Sequence, residues 1–189
     1  MKLLRTAIAL WGLAGVMSLL GQAIYKLTPM ALEPLGPEMS WGVGACYVLC
    51  VAFMLYSEGY KGFHLNFAPR VVGRAAWLTN PDNSPRLHWL ILAPMFLMGL
   101  IGSNKRRTRV QWILVSAIVV AVVLVKQLSQ PWRGVVDAGV VAGLALGCLS
   151  IFFHLVRSLS GSPPGVEKLD LPPDHVRADN GQWEADVPA

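Results

Sequence analysis

Apolar positions fall in five blocks, at residues 6–25, 41–59, 87–103, 110–126 and 134–156, separated by short clusters of charge, proline and glycine. Each approaches the ~20 apolar residues that a helix needs to cross a bilayer, the third being the shortest. Backbone polar groups in hydrocarbon must be satisfied inside their own segment, so even the β-branched run at 110–126 reads as a helix. The expected fold is all-α, a polytopic integral membrane helix bundle of about five transmembrane helices. Between the second and third blocks, Phe63, Phe67, Val71, Ala75 and Leu78 recur at four- and three-residue steps, an amphipathic stripe. Pro69 suits a first helical position. Residues 69–78 therefore predict a short helix lying in the membrane interface, apolar side down.

The last block carries the clearest packing signal. Gly139, Gly143 and Gly147 recur every fourth residue, with Ala138 and Ala142 beside them. On a helix they form one ridge that another backbone can approach closely, which predicts a glycine zipper and a packing spine. Ala14, Ser18 and Gln22 form a similar small and polar face in the first block. Gly42, Cys46, Cys50, Met54 and Glu58 follow at four-residue steps in the second. Prolines 29, 34 and 37 make residues 28–40 a loop, and residues 80–85 are a turn-rich connector. The run at 7–24 is long for a cleaved signal, so a retained first helix is expected.

Composition sharpens this picture. Of 189 residues 54% are hydrophobic and 14% charged, against about 25% charged in soluble domains. Six acids and two basic residues follow position 157, so residues 158–189 read as a disordered acidic C-terminal tail and the membrane domain ends near 157. The net charge of +5 therefore conceals a basic body. Its basic residues flank apolar spans, which suits anionic membrane lipids and excludes a nucleic-acid domain. Three cysteines inside apolar blocks are no disulfide framework. With five spans, Lys and Arg divide equally between the two sides. The compact Lys105–Arg109 cluster then places the N-terminus outside and the tail in the cytoplasm, although Lys2 and Arg5 argue the other way.

Few residues suggest chemistry. Glu58 and Asp137 are the acids in or bordering apolar blocks, where carboxylates are costly. With five spans they fall on one side and could share a polar mouth with Lys61 and Arg133, or form interfacial ion pairs with those two bases. Arg70 and Arg74, one helical turn apart, are candidate lipid headgroup contacts, since guanidinium forks match phosphate oxygens. His64 and His88 form the one histidine pair on a common side, neither deep enough for a haem. Cys46, Cys50 and Met54 are soft ligands, yet small-residue packing explains that face without copper. No catalytic signature is present, and no metal or cofactor is expected. The leading expectation is a non-catalytic structural or accessory subunit of a bacterial-type inner membrane, contacting other helices and anionic lipids. The alternatives are a small-solute or ion transporter or channel using the Glu58/Asp137 mouth, and a membrane enzyme or redox carrier.

Overall fold

The computed structural model describes residues 2–36, 39–80 and 87–161, whose regular structure is all helical. Most of the expected acidic tail and the expected connector, at 162–189 and 81–86, lie outside the described residues. Helix α1 (Lys2–Leu32) continues into a 3-10 turn (Glu33–Leu35). Helix α2 (Trp41–Met54), a π-helical segment (Leu55–Phe67) and α3 (Ala68–Thr79) form one uninterrupted run. Two short helices follow, α4 (Leu87–Ile91) and α5 (Ala93–Leu97), then α6 (Lys105–Val125) and α7 (Trp132–Leu159).

Four helical runs are long and apolar enough to cross a membrane: Leu3–Leu35, Trp41–Thr79, Lys105–Val125 and Trp132–Leu159. The expected count of five is therefore corrected to four. The block at 87–103 fails as a span because its backbone cannot stay helical. Pro94 sits in the first turn of α5, after a break at Leu92, and Gly99 and Gly102 adopt φ of +82° and +63°. Left-handed backbone at two positions ends a helix more firmly than one proline does. The broken segment instead folds between α1 and α3, where Ala93, Phe96 and Leu97 are fully buried.

The expected interfacial helix at 69–78 is also corrected. It is the continuation of the second run, within α3, where ten of twelve residues are buried. The stripe of Phe63, Phe67, Val71, Ala75 and Leu78 marks a face packed on protein. A proline inside a helix lacks a donor and crowds the carbonyl four residues earlier. Directly before Pro69 the ladder is wider, with Ala68 N–H bonding to the Phe63 carbonyl five residues back, so the chain passes this point without stopping. The loop expected at 28–40 also shrinks, because α1 runs on to Leu32. Pro29 lies inside α1, and the Thr28 hydroxyl donates to the Ile24 carbonyl at 2.7 Å.

Helix α7 is the centre of the bundle, packed by α1, α2, the π segment and α3. It begins under a side-chain cap: Gln130 Oε1 accepts from Gly134 N–H (3.0 Å) while its amide donates to Glu33 (2.7 Å). Gly139, Gly143 and Gly147 are buried against the second run. A Cβ added at these positions would stand 2.8 Å from Met54 Cγ, 3.3 Å from Glu58 Cβ and 2.7 Å from Phe63 Cδ1 respectively. Ala9, Leu13 and Val16 of α1 meet α3, Phe96 and Ile151 in a single apolar cluster. By contrast α6 stands apart, with Gln111 its one buried residue.

Candidate functional site

The two acids singled out by sequence are not brought together. Asp137 is buried beside the end of α1, with Arg133 Nε 3.5 Å from its Oδ2. It lies roughly 200° round α7 from Gly139, the residue that meets α2, so its side chain leaves on the opposite face. Glu58 sets its Cβ against Gly143 of α7, on the face that meets α2 and the π segment, and is exposed at the edge of that seam. The Arg133–Asp137 pair therefore forms as the four-residue spacing suggests, while a common mouth with Glu58 does not.

Glu58 and Lys61 also differ from the expected interfacial pair. Gly59 rests on Leu146, where an added Cβ would come 2.7 Å from Leu146 Cδ2, and Leu146 is near the midpoint of the 28-residue α7. Both charged residues thus stand at mid-height of the central helix α7, Glu58 at the edge of the seam and both exposed. In a ladder that closes every five residues, positions three apart diverge around the axis. Lys61 accordingly reaches back five residues, with Nζ 4.8 Å from the centre of the Tyr56 ring. Among the described residues no ion pair joins it to Glu58.

Arg70 and Arg74 are buried inside the protein, 7% and 0% exposed, and do not turn their guanidinium groups outward to lipid as expected of them. The Arg74 guanidinium donates to the Phe96 carbonyl (2.7 Å), the Ile101 carbonyl (3.2 Å) and Ser103 Oγ (2.7 Å), and lies over the Phe96 ring at 4.9 Å. The Phe96 carbonyl also accepts from Gly99 N–H at 3.0 Å in the turn that ends α5, while Ile101 and Ser103 lie beyond the break. The arginine is thus the internal cap of a broken helix, with its charge at the negative end of α5. Gly99 adjoins the same node: an added Cβ would meet Ser103 Oγ, Gln111 Nε2 of α6 and Arg70 Cδ at 3.5, 3.6 and 3.8 Å.

A histidine node joins the π segment to α7, and its partner is not His88. His64 and His154 lie with ring centres 5.1 Å apart, and His154 Nε2–H donates to the His64 carbonyl at 3.1 Å. Ser150, buried, donates its hydroxyl to the Leu146 carbonyl at 2.7 Å. Its proton so placed, it accepts from His64 Nδ1 at 3.2 Å, which places a hydrogen on that nitrogen. Tyr60 stacks on the same ring at 5.7 Å and Tyr56 on Tyr60 at 6.3 Å. The four-residue register of Tyr56, Tyr60 and His64, facing Ser150 and His154 at the same step, was the available signal. It was missed because ending the second span at Gly59 put His64 in a loop and His154 at the opposite end.

Chemically, the node can hold one hydrogen-bond donor or contribute two imidazoles to a metal. Among the described residues no group of three or more His, Cys, Asp or Glu side chains gathers to complete a ligand set. The thiols of Cys46, Cys50 and Cys148 are free, and Cys50 lies beside Gly139 in the α2–α7 seam. A cavity of about 310 Å3 is lined by Asn104, Arg106, Arg107 and Val110 at the start of α6, remote from all of these groups. No family model, curated protein or solved structure matches this chain.

Proposed function

We propose that the chain is a multi-pass integral membrane protein of a cell membrane, acting as a non-catalytic structural or accessory subunit. The observation that carries this reading is the pair Glu58 and Lys61, charged side chains exposed at mid-height of the bundle. A charge near the bilayer centre costs at least about 2.5 kcal/mol, and a neighbouring helix is the ordinary way to cover it. Two further features support the reading. Helix α6 presents Ile113, Leu114, Ile118 and Val119 to the outside. The cavity lined by Arg106 and Arg107 offers forked donors at a helix start, so the headgroup role moves there from the buried Arg70 and Arg74.

Four spans also break the charge tie. The Arg5 guanidinium donates to the Asn80 carbonyl at 2.6 Å, and Arg74 reaches Ile101 and Ser103 just before α6, so these chain segments share one end of the bundle. That end holds Arg5, the basic residues of 105–109 and Arg157, whereas Lys26, Lys126 and Arg133 lie at the other. The positive-inside rule then puts both termini in the cytoplasm, in place of the outward N-terminus expected from five spans.

The experiment is isolation from membranes in mild detergent, with reporters after Arg107 and between residues 81 and 86. Expected are carbonate-resistant membrane association, a particle larger than one chain, and two cytoplasmic reporters. Recovery in the soluble fraction would overturn the reading, and so would solute flux through a purified monomer. An external reporter at 81–86 would restore the fifth span.

A further inference from the structure

Lipid chains satisfy α6 as well as protein would, because tails are as apolar as its Ile, Val and Leu side chains. They cannot satisfy the flank of the π segment that carries Glu58 and Lys61. This flank therefore needs an occupant, and its own charges indicate which one. It presents one acid and one base, three residues apart along the axis, neither ion-paired within the described chain. Such a surface is its own complement.

We propose that the occupant is a second copy of this chain, joined across a two-fold axis by crossed Glu58–Lys61 pairs. The inference rests on the accessory-subunit reading above and names its partner. A two-fold axis along the membrane normal is the one that keeps both copies inserted in the same direction. It sets like residues at equal depth and makes the contact isologous, residue i against j and j against i. Three residues of helix rise roughly 4.5 Å or less, within reach of a glutamate and a lysine facing one another. Each copy thus brings a carboxylate to the other's ammonium, and both charges leave the lipid together. Lys61 is held for this over the Tyr56 ring, which carries the ammonium without neutralising it. The adjoining face is apolar, with Val48, Leu49 and Phe53 of α2 all exposed, and in lipid such side chains add packing complementarity without resisting contact.

The test is a charge-swap cycle read as oligomeric state in lipid nanodiscs, by native mass spectrometry of the full chain. Wild type should run at twice its 20.6 kDa mass. E58K and K61E should each weaken self-association at least tenfold, because like charges then meet across the axis. E58K/K61E should regain most of the dimer, since the swap restores both pairs. As these side chains are exposed, the four proteins should melt alike, which separates lost assembly from lost folding. Dimers indifferent to both single changes, or a double variant no better than the singles, would overturn the crossed pairing. A wild-type complex of one copy with a different membrane protein would overturn the second copy while leaving the accessory role standing. A wild-type monomer alone in native membranes would overturn both.

Discussion

Residues 87–103 and 134–156 have the same look in sequence, apolar blocks interrupted by glycine, and they fold in opposite ways. In α7 the glycines keep helical geometry and lie every fourth residue on one ridge, so their missing side chains become room for the second run. In the other block Gly99 and Gly102, three apart and following Pro94, turn to positive φ and end the helix. Apolarity alone says that a segment is withdrawn from water. The register of glycine and the place of proline decide whether it is withdrawn as a rod across the bundle or as a broken piece inside it. A rod satisfies its own backbone. A broken piece needs donors from elsewhere, and Arg74 supplies them.

The contrast breaks most severely at that arginine. Arg74→Leu removes three donated bonds and the charge at the end of α5, leaving the Phe96 carbonyl with Gly99 N–H alone and the Ile101 carbonyl without this donor. With charged hydrogen bonds contributing about 1.5–3 kcal/mol each, the loss should be 3 kcal/mol or more, among the largest for a single position in this chain. Arg74→Lys should recover part of it, because one ammonium cannot reach Phe96, Ile101 and Ser103 with the geometry of a fork. Unfolding in detergent, followed by circular dichroism, reads both. If Arg74→Leu were as stable as wild type, the broken segment would be held by something other than this cap.

The rod can be tested by adding single methyl groups. At Gly134 a new Cβ would run into the Pro34 ring and approach the Met30 carbonyl oxygen to 2.6 Å, two partners with little freedom to move. At Gly143 the nearest atoms are Glu58 Cβ at 3.3 Å and the Met54 carbonyl at 3.6 Å, close to ordinary contact. Gly134→Ala should therefore cost about 1–3 kcal/mol through overpacking. Gly143→Ala should be near neutral, since about 1 kcal/mol of helix propensity offsets its tighter contact. Leu146→Val, which keeps most of the packing on Gly59, should fall between them. Equal melting temperatures for the two alanine variants would mean that the seam breathes enough to make the register irrelevant.

What the sequence made legible follows from these differences. Length and apolarity carried the class, and four-residue spacing carried the ridge of α7, because both are local properties of a helix. The fate of 69–78 was not legible. An amphipathic stripe looks the same whether its apolar side meets lipid or a neighbouring helix, and only the packing of α1, α5 and α7 around α3 distinguishes them. The inward Arg70 and Arg74 follow from that one ambiguity, whereas the loss of a fifth span follows from the break at Leu92 and the turned glycines 99 and 102. The Arg133–Asp137 pair was readable, being four residues apart, whereas the separation of Asp137 from Glu58 depended on the π segment, for which spacing gives no warning.

The gentlest change probes where that π segment meets the rod. Ser150 is buried, gives its proton to Leu146 and accepts from His64, so it holds a hydrogen on Nδ1 of His64. Ser150→Ala leaves the α7 backbone bonds intact and deletes a single acceptor, a loss of about 1 kcal/mol. Melting temperature should move little. The larger response should be chemical: in ¹⁵N-labelled protein the His64 ring nitrogens should shift from one Nδ1-protonated tautomer toward a mixture. His154, whose Nε2 proton is held by the His64 carbonyl, should keep its own tautomer. Ser150→Thr retains the hydroxyl and should preserve the wild-type spectrum. Were His64 unchanged in Ser150→Ala, its orientation would be set by the Tyr60 and Phe153 rings stacked near it and not by a hydrogen bond from the rod.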